Sequence, residues 1–562
     1  MNQSIEITIQ KKKFCYPCGT TIKDILLDSK VPLNDDDYQK NPVVAAKVNY
    51  ELKSLSEAQT YNAIIEPVYL FSSLGKRIYR KSICYLLCAA SNSIFPNRRI
   101  RISHSLGDGY YFHFDTLQVV NENDIELISK EMRRLISEKK EINIKRVSYD
   151  EAKDYFINRN HGFSQTVEVM KYEHTPNIEV YCLDSFMDRS TEPIVHSTEF
   201  LTLWELRKYK DNGMLLRYPR SSDFTELQPF KENPALFDIF QEYRKWNSIL
   251  KMESVGQLDT YCTTNNISSY IRLAETLQWK KISAIADMIH ERGSVKAILV
   301  AGPSSSGKTT FTHKLGINLT VLGMHPILIS LDSYYRGKAD TPLDEDGNYD
   351  FESIDALDIE FFQKNIQDLY DGKEVDLPSF NFKKGIREFK NRPIKMESNT
   401  IFIIEGIHGL NPTILPNIDS ETTFKVYISA LTQLNIDDHN RMSTTDNRIL
   451  RRITRDHMTR NVDAKTTLDM WARVQAGENK HIFPYQNNAD AMLNSAVDYE
   501  LGALRPIVEP LLKTIKPSDD ESFVTATRLL TILQKVYPIP SELVPKDALI
   551  REFIGGSEFN VI

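Results

Sequence analysis

Cysteine is sparse in this chain: six in 562 residues, Cys15, Cys18, Cys84, Cys88, Cys182 and Cys262. That excludes a disulfide-stapled secreted scaffold and fits a reducing, cytoplasmic setting. Cys15-x-x-Cys18 lacks a second pair at zinc spacing, so it reads as two small apolar residues flanking a turn at Pro17. No apolar run approaches the ~20 residues of a membrane helix, and the start, MNQSIEITIQKKK, has no charged-then-apolar leader pattern. Internal repeats and low-complexity tracts are missing. Neither charge sign dominates, with 69 Lys+Arg against 76 Asp+Glu and a net −7, which argues against a surface given over as a whole to nucleic acid. What is present is an ordinary globular balance, 41% apolar and 26% charged, long enough for three or four domains of ~150 residues.

Residues 1–65 predict a β-grasp-like module. IEITI alternates as a half-buried strand, Gly19-Thr20-Thr21 turns and caps the helix TIKDILLDS, and VVAAKVN is strand-like. Residues 66–235 mix helices and strands. KSICYLLCAA is an apolar helix, RIRISHSLGDGYYFHF is a hairpin, and NDIELISKEMRRLISEKK places Ile125, Ile128, Met132 and Ile136 at helical spacing. Residues 236–290 are helical and link the two halves. In residues 291–562 the runs KAILVAG, PILISL and TIFIIEG are short and unbroken, and helical stretches separate them, as in a parallel sheet covered on both faces. After residue 500 the chain is helical apart from a loop near VYPIPSELVP.

The sharpest motif is AILVAGPSSSGKTTFTHKL, which holds G-x-x-x-x-G-K-[ST] as Gly302, Gly307, Lys308 and Thr309. A strand precedes it and an amphipathic helix follows. Glycines let the backbone curl so that several N–H groups face one phosphate, and the helix N-terminus adds partial positive charge. The whole loop, Gly302, Pro303, Ser304, Ser305, Ser306, Gly307, Lys308, Thr309 and Thr310, is the candidate ATP cradle. Lys308 reaches the β/γ-phosphates and the Thr309 hydroxyl ligates Mg²⁺. The strand IFIIEG ends in Glu405, at the sheet edge where ligands bind, as the second metal anchor. The strand PILISLDSYY ends at Asp332. That residue is either a base toward an attacking alcohol, a helix cap or a metal ligand. In DNRILRRITRDHMTR, Arg448, Arg452 and Arg455 share one helical face and Arg451 lies off it. The segment is a candidate lid over a triphosphate.

Residues ~295–500 resemble the uridine kinase and phosphoribulokinase family of P-loop kinases through GPSSSGKTT, SLDSYY, FESIDALD, LPSFNFKKGIR, IIEGIHGL and DNRILRRITRD. The resemblance implies Asp332 as general base, with Lys308 beside it in catalysis, and Glu405 as a metal-associated acid. It implies Arg451 and Arg455 as phosphate-facing lid residues, and Tyr335, Glu352, Phe380, Arg387 and Arg448 on the acceptor side. This sequence departs from the uridine kinase pattern where a Tyr-Asp pair and a His are usual: Phe380, Asn381 and Gly385 stand there, and Ser353-Ile354 replaces His-Pro. A stretch LTQLNIDDHNRMSTT is inserted before the lid.

The front half resembles the N-terminal domains of threonyl-tRNA synthetase, a TGS domain followed by an editing domain. It does so through GKRIYRKSICYLL, SHSLGDGYYFHF, KRVSYDEAKDYF and VEVYCLDSF. The editing motifs H-x-x-x-H and C-x-x-x-H align on Lys81, Tyr85, Cys182 and Phe186, so three of four positions are changed and editing chemistry is expected to be lost. His104 reads as a surface histidine. The expected fold is an α/β P-loop kinase domain preceded by a β-grasp TGS-like domain and an α+β editing-like domain. The whole fusion resembles a group of bacterial nucleoside-kinase-like proteins.

These features imply ATP and Mg²⁺ as cofactors and a nucleoside or sugar-like alcohol as acceptor. No membrane partner is expected. An RNA contact by the front half and assembly into a homo-oligomer stay open. The alternative is an RNA-associated nucleotide-binding regulator. A GTPase is disfavoured because no N-K-x-D motif is present, and a synthetase because no aminoacylation core is visible.

Overall fold

The structure is a computed structural model describing residues 4–30, 41–107, 109–115, 119–160, 162–210, 212–219, 224–337, 340–344, 347–381, 384–416 and 418–559. Asp108 of the predicted Gly-Asp-Gly turn, and Phe382 and Lys383 of the 377–387 motif, lie outside the described residues. No described helix is long and apolar enough to cross a membrane.

The first sheet has five strands in the order Lys12–Pro17, Ser4–Ile9, Ala63–Tyr69, Val43–Val48, Glu51–Lys53. Its central pair, the first and last long strands, runs parallel, and Ile5, Ile7 and Ile9 alternate into the core as read from sequence. Helix Ile22–Asp28 is capped by Thr21, whose hydroxyl accepts from the Asp24 N–H. The module does not end at 65: its last strand continues to Tyr69 because Val68 pairs with Ala45 and is buried with it.

The second region packs helices Ser73–Ile94 and Glu122–Ser137 on antiparallel sheets. The predicted hairpin, Ile100–Leu106 with Gly109–Phe114, is extended by Gly213–Arg217 and Glu205–Tyr209 into four strands. A three-stranded sheet joins Asn143–Ser148, Asn177–Leu183 and Phe186–Asp188. His104 is not on the surface. It is buried, its ring stacked 3.8 Å from Phe240 of the following helix, and burial holds its pKa well below the ordinary value. Three helices, Pro234–Leu250, Val255–Thr263 and Ile267–Arg292, fill the expected helical stretch.

The third region holds a parallel sheet ordered His325–Ser330, Thr400–Glu405, Ala297–Ala301, Thr423–Ser429, Ala491–Asn494. The three apolar runs read from sequence form one side of it. Thr423–Ser429 and Ala491–Asn494 are additional strands. Ala297–Ala301 is buried at every position, as both faces are covered by helices.

Candidate active site

The P-loop follows the central strand. A Cβ at Gly302 would lie 2.0 Å from the Ile428 carbonyl oxygen of the neighbouring strand, so the loop leaves the sheet only with glycine there. Gly307 turns into the helix Lys308–Val321 with φ +85°, a conformation that favours glycine. The Lys308 ammonium folds over the loop and donates to the carbonyls of Gly302 (3.0 Å) and Pro303 (3.3 Å). The hydroxyls of Ser305 and Ser306 are buried and have no hydrogen-bond partner among the described residues. That leaves donors for an anion.

Glu405 ends its strand, and Asp332 lies two residues beyond the end of the adjacent one, in the short 3-10 turn Leu331–Tyr334. Register pairs Val300 with Glu405 and Glu405 with Ser330, so both acids stand at the carboxyl ends of the strands beside the loop. Ser330 donates to Glu405 Oε1 at 3.0 Å. Burial, and then the charge of Asp332, raise the Glu405 carboxyl to about 7 against the pull of Lys308. The two half-buried acids, with the half-buried Thr309 beside Lys308, are oxygen-bearing side chains of the kind that suits Mg²⁺. No three His, Cys, Asp or Glu side chains converge to cage a metal among the described residues. One or two carboxylates with phosphate oxygens is the usual way this ion is held. Glu352 is half-buried, with its Oε2 enclosed and unpartnered among the described residues, and desolvation lifts it to about 7 while Arg452 and Lys308 pull it down.

The arginine helix, Thr444–Arg460, packs against the P-loop and sorts the arginines differently from the sequence reading. Arg448 is not on the acceptor side. It forms a buried ion pair with Glu478 and donates to the Ser304 carbonyl at 2.9 Å, while Glu478 accepts from the Ser304 N–H at 3.0 Å. Arg451 does not face phosphate either. It is fully buried in an ion pair with Glu500 and donates to Ser495 Oγ (3.2 Å) and the Ser305 carbonyl (3.4 Å). Arg452 reaches the Ser304 hydroxyl at 3.0 Å. Arg455 keeps the open side: its Nη2 touches Asp456 at 3.4 Å and its Nε has no partner among the described residues. Arg460 stands close enough to Arg455 for their mutual repulsion, with burial, to lower it to about 10, and Asp332 acts on it in the opposite sense.

On the acceptor side, Tyr335 donates to the Phe351 carbonyl at 3.0 Å, and its ring lies 5.9 Å from Phe380 and 6.1 Å from Phe351. Arg387 is a brace rather than a free reader. It pairs with Asp358 at 3.2 Å and donates to the carbonyls of Tyr334 and Tyr335 at 3.2 and 3.3 Å, clamping the turn that carries Asp332. Glu478, Glu500 and Ser495 carry no motif of their own. They lie 30 or more residues from the arginines they hold, and no local pattern in the sequence points to them.

Residues 297–501 match the Phosphoribulokinase / Uridine kinase family. A uridine kinase from Macrococcus caseolyticus is 29% identical over 195 residues, 34% of this chain and 85% of that one. A threonine--tRNA ligase from Ehrlichia canis is 31% identical over 170 residues, 30% of this chain and 26% of that protein. The chain thus spans about a quarter of the length of that ligase. A solved structure named "Possible Uridine Kinase", from Bacillus stearothermophilus, is 16% identical with a TM-score of 0.25, over 36% of this chain and 89% of that one. The C-terminal part of the chain is thus similar to the phosphoribulokinase/uridine kinase family, and the N-terminal region to threonine--tRNA ligases.

Proposed function

We propose that the protein is an ATP-dependent kinase that transfers the γ-phosphoryl group to a hydroxyl of a nucleoside or sugar-like metabolite, with a non-catalytic regulatory front half. The observation that carries this is Asp332 and Glu405 standing side by side at the strand ends next to the P-loop. A nucleotide switch needs the loop and a metal acid but not a second acid facing an acceptor cleft. The loop N–H groups and Lys308 hold the triphosphate. Asp332 takes the proton of the acceptor hydroxyl as its oxygen attacks phosphorus, and ADP leaves. Arg455 and Arg460, which stand within electrostatic reach of one another, with Asp332 acting on Arg460, are in this reading the cations that meet the developing charge. A Mg²⁺ ion held by Thr309 and Glu405 would supply charge neutralisation at the phosphates.

Tyr335, Phe351 and Phe380 make an aromatic wall whose one hydroxyl, that of Tyr335, donates to the Phe351 carbonyl, and Gly385 offers no side-chain donor where a His is usual. Plain uridine is therefore a weak acceptor in this reading. The test is a panel of nucleosides and sugars with ATP–Mg²⁺, scored for phosphorylated product, with Lys308→Ala as the control. One acceptor should turn over well above uridine and lose all turnover in the control. No product from any acceptor, or turnover unchanged in Lys308→Ala, would overturn the proposal.

The regulatory role of the front half is supported by the insertion 431–445, which docks on it. Asp438 is buried against Arg99 (2.6 Å) and Asn160 (3.2 Å), and the Asn440 Oδ1 accepts from Lys81 (2.5 Å). Lys81 is one of the altered editing positions, and here it holds the kinase domain. Tyr85 and Phe186 pack on each other 5.3 Å apart, and Cys182 is buried. The RNA-regulator alternative is less favoured in this reading, since Lys81, Arg99 and Asn160 of the front half are engaged by the chain itself.

A further inference from the structure

The family match stops at residue 501, yet the C-terminal segment returns to the P-loop. The short helix Arg551–Ile554 is held firmly. The Arg551 guanidinium donates to the carbonyls of Val544 (2.5 Å), Ser541 (2.7 Å), Gly555 (3.0 Å) and Pro545 (3.1 Å). Phe553 is fully buried, with the Arg451 guanidinium 4.8 Å from its ring. Phe559 stacks on His313 of the P-loop helix at 5.4 Å and 8°. From this platform Glu552 reaches the phosphate cradle. Its Oε2 accepts from the Thr310 N–H at 3.3 Å and from the Thr310 hydroxyl at 3.1 Å.

Thr310 is the third residue of that helix, so its N–H has no acceptor within the helix and is one of the free donors with which a helix N-terminus binds anions. Two further observations put Glu552 inside the site rather than beside it. Its charge is among those that raise the carboxyl of Glu405, and the Ser305 and Ser306 hydroxyls of the same cradle are buried and unpartnered. A carboxylate therefore sits against the P-loop and holds donors that a phosphate would take.

We propose that Glu552 is an internal competitor of the nucleotide: its carboxylate occupies a phosphate position on Thr310 and swings out when a nucleotide enters. Only the side chain has to move, because Arg551 and Phe553 fix the backbone on either side. The inference rests on the nucleotide-site reading above. It makes the C-terminal segment a brake on nucleotide affinity, and anything that draws Glu552 away would release it.

Calorimetric titration of the full chain with ATP–Mg²⁺, tripolyphosphate and adenosine tests this, using wild type, Glu552→Gln and Glu552→Ala. Both variants should bind ATP and tripolyphosphate about tenfold more tightly, the effect of removing one charge a few Å from a phosphate in partly screened surroundings. Adenosine binding should not change. Equal or weaker phosphate binding in the folded variants would overturn the proposal and leave Glu552 a structural helix cap. Glu552→Gln, nearly isosteric, decides the matter should Glu552→Ala fail to fold. If ATP binds to wild type but not to Lys308→Ala while the Glu552 variants are unaltered, only this inference falls. If ATP binds to none of these proteins, the nucleotide-site reading falls with it.

Discussion

The imidazole of His439, in the kinase-domain insertion, is bonded on Nδ1 to the Asp188 carboxylate of the front half, and on Nε2 to the Ile100 carbonyl at 3.0 Å. Both partners accept, so the ring satisfies both only when it carries two protons. The pair is buried. Burial opposes the charge on His439, but Cys88 and Asp188 override it and raise the pKa well above the ordinary value. Burial would raise Asp188 too, and the charges of His439 and Arg159 bring it to about 2 instead. Four residues on, Ser443 caps the arginine helix by accepting from the Asp446 N–H at 3.0 Å. Asp446 itself pairs with Arg77 of the front half at 3.3 Å and with Arg528 at 2.7 Å. The front half thereby holds the start of the helix whose arginines grip the P-loop.

His439→Ala leaves Asp188 buried beside Arg159 alone and should cost about 3 kcal/mol of stability. The pH dependence follows from the two signs. The contribution of His439 is fully present below its unfolded value of ~6.5 and fades as pH rises through the raised folded value. The contribution of Asp188 is present above ~3.9 and fades as pH falls toward 2. Thermal unfolding of wild type should therefore lose stability at alkaline pH more steeply than His439→Ala. Parallel curves would show that the imidazole is neutral in the fold.

Asp332→Asn should lower kcat ~10²-fold or more with KM for ATP little altered, because the change removes the proton acceptor and keeps the shape. The measurement is a saturation series in ATP at fixed acceptor. Loss of ATP binding with kcat retained would reassign Asp332 to the metal.

Arg448→Ala strands the Glu478 carboxylate in a dry pocket and frees the Ser304 carbonyl. A loss of ~3–5 kcal/mol in stability is expected, together with a higher KM for ATP and an unchanged KM for the acceptor. An effect confined to the acceptor KM would restore Arg448 to the acceptor side, where the sequence reading had it.

Glu405 carries a raised pKa, about 7, so the folded state binds its proton more tightly than the unfolded chain does. Without ligand, stability should fall as pH rises from ~4.3, its unfolded value, through about 7. Glu405→Gln should flatten that decline. Denaturant titrations between pH 5 and 8 read it directly, and identical slopes in both proteins would remove Glu405 from the account.

The sequence by itself determined those parts of the molecule that depend on neighbours along the chain. The strand-loop-helix around Gly302–Thr310, the acids at or just past the ends of two apolar runs, the hairpin 100–114 and the alternation of Ile5, Ile7 and Ile9 are all local patterns of period or spacing. The tertiary structure alone decided which charges meet. The stripe Arg448, Arg452, Arg455 is a helical face by arithmetic. Its roles were set by Glu478, 30 residues from Arg448, and by Ser304, 144 residues from it. Arg451, off the stripe, is buried because Glu500 and Ser495 await it on another helix and strand end. His104 looked exposed in a glycine-rich hairpin until a helix 130 residues downstream laid Phe240 over it. Asp438 and His439 read as an unexplained insertion because their partners, Arg99 and Asp188, lie hundreds of residues earlier. Charge pairing across such distances leaves no periodic trace in a single chain, since a buried ion pair constrains two positions in space and none between them.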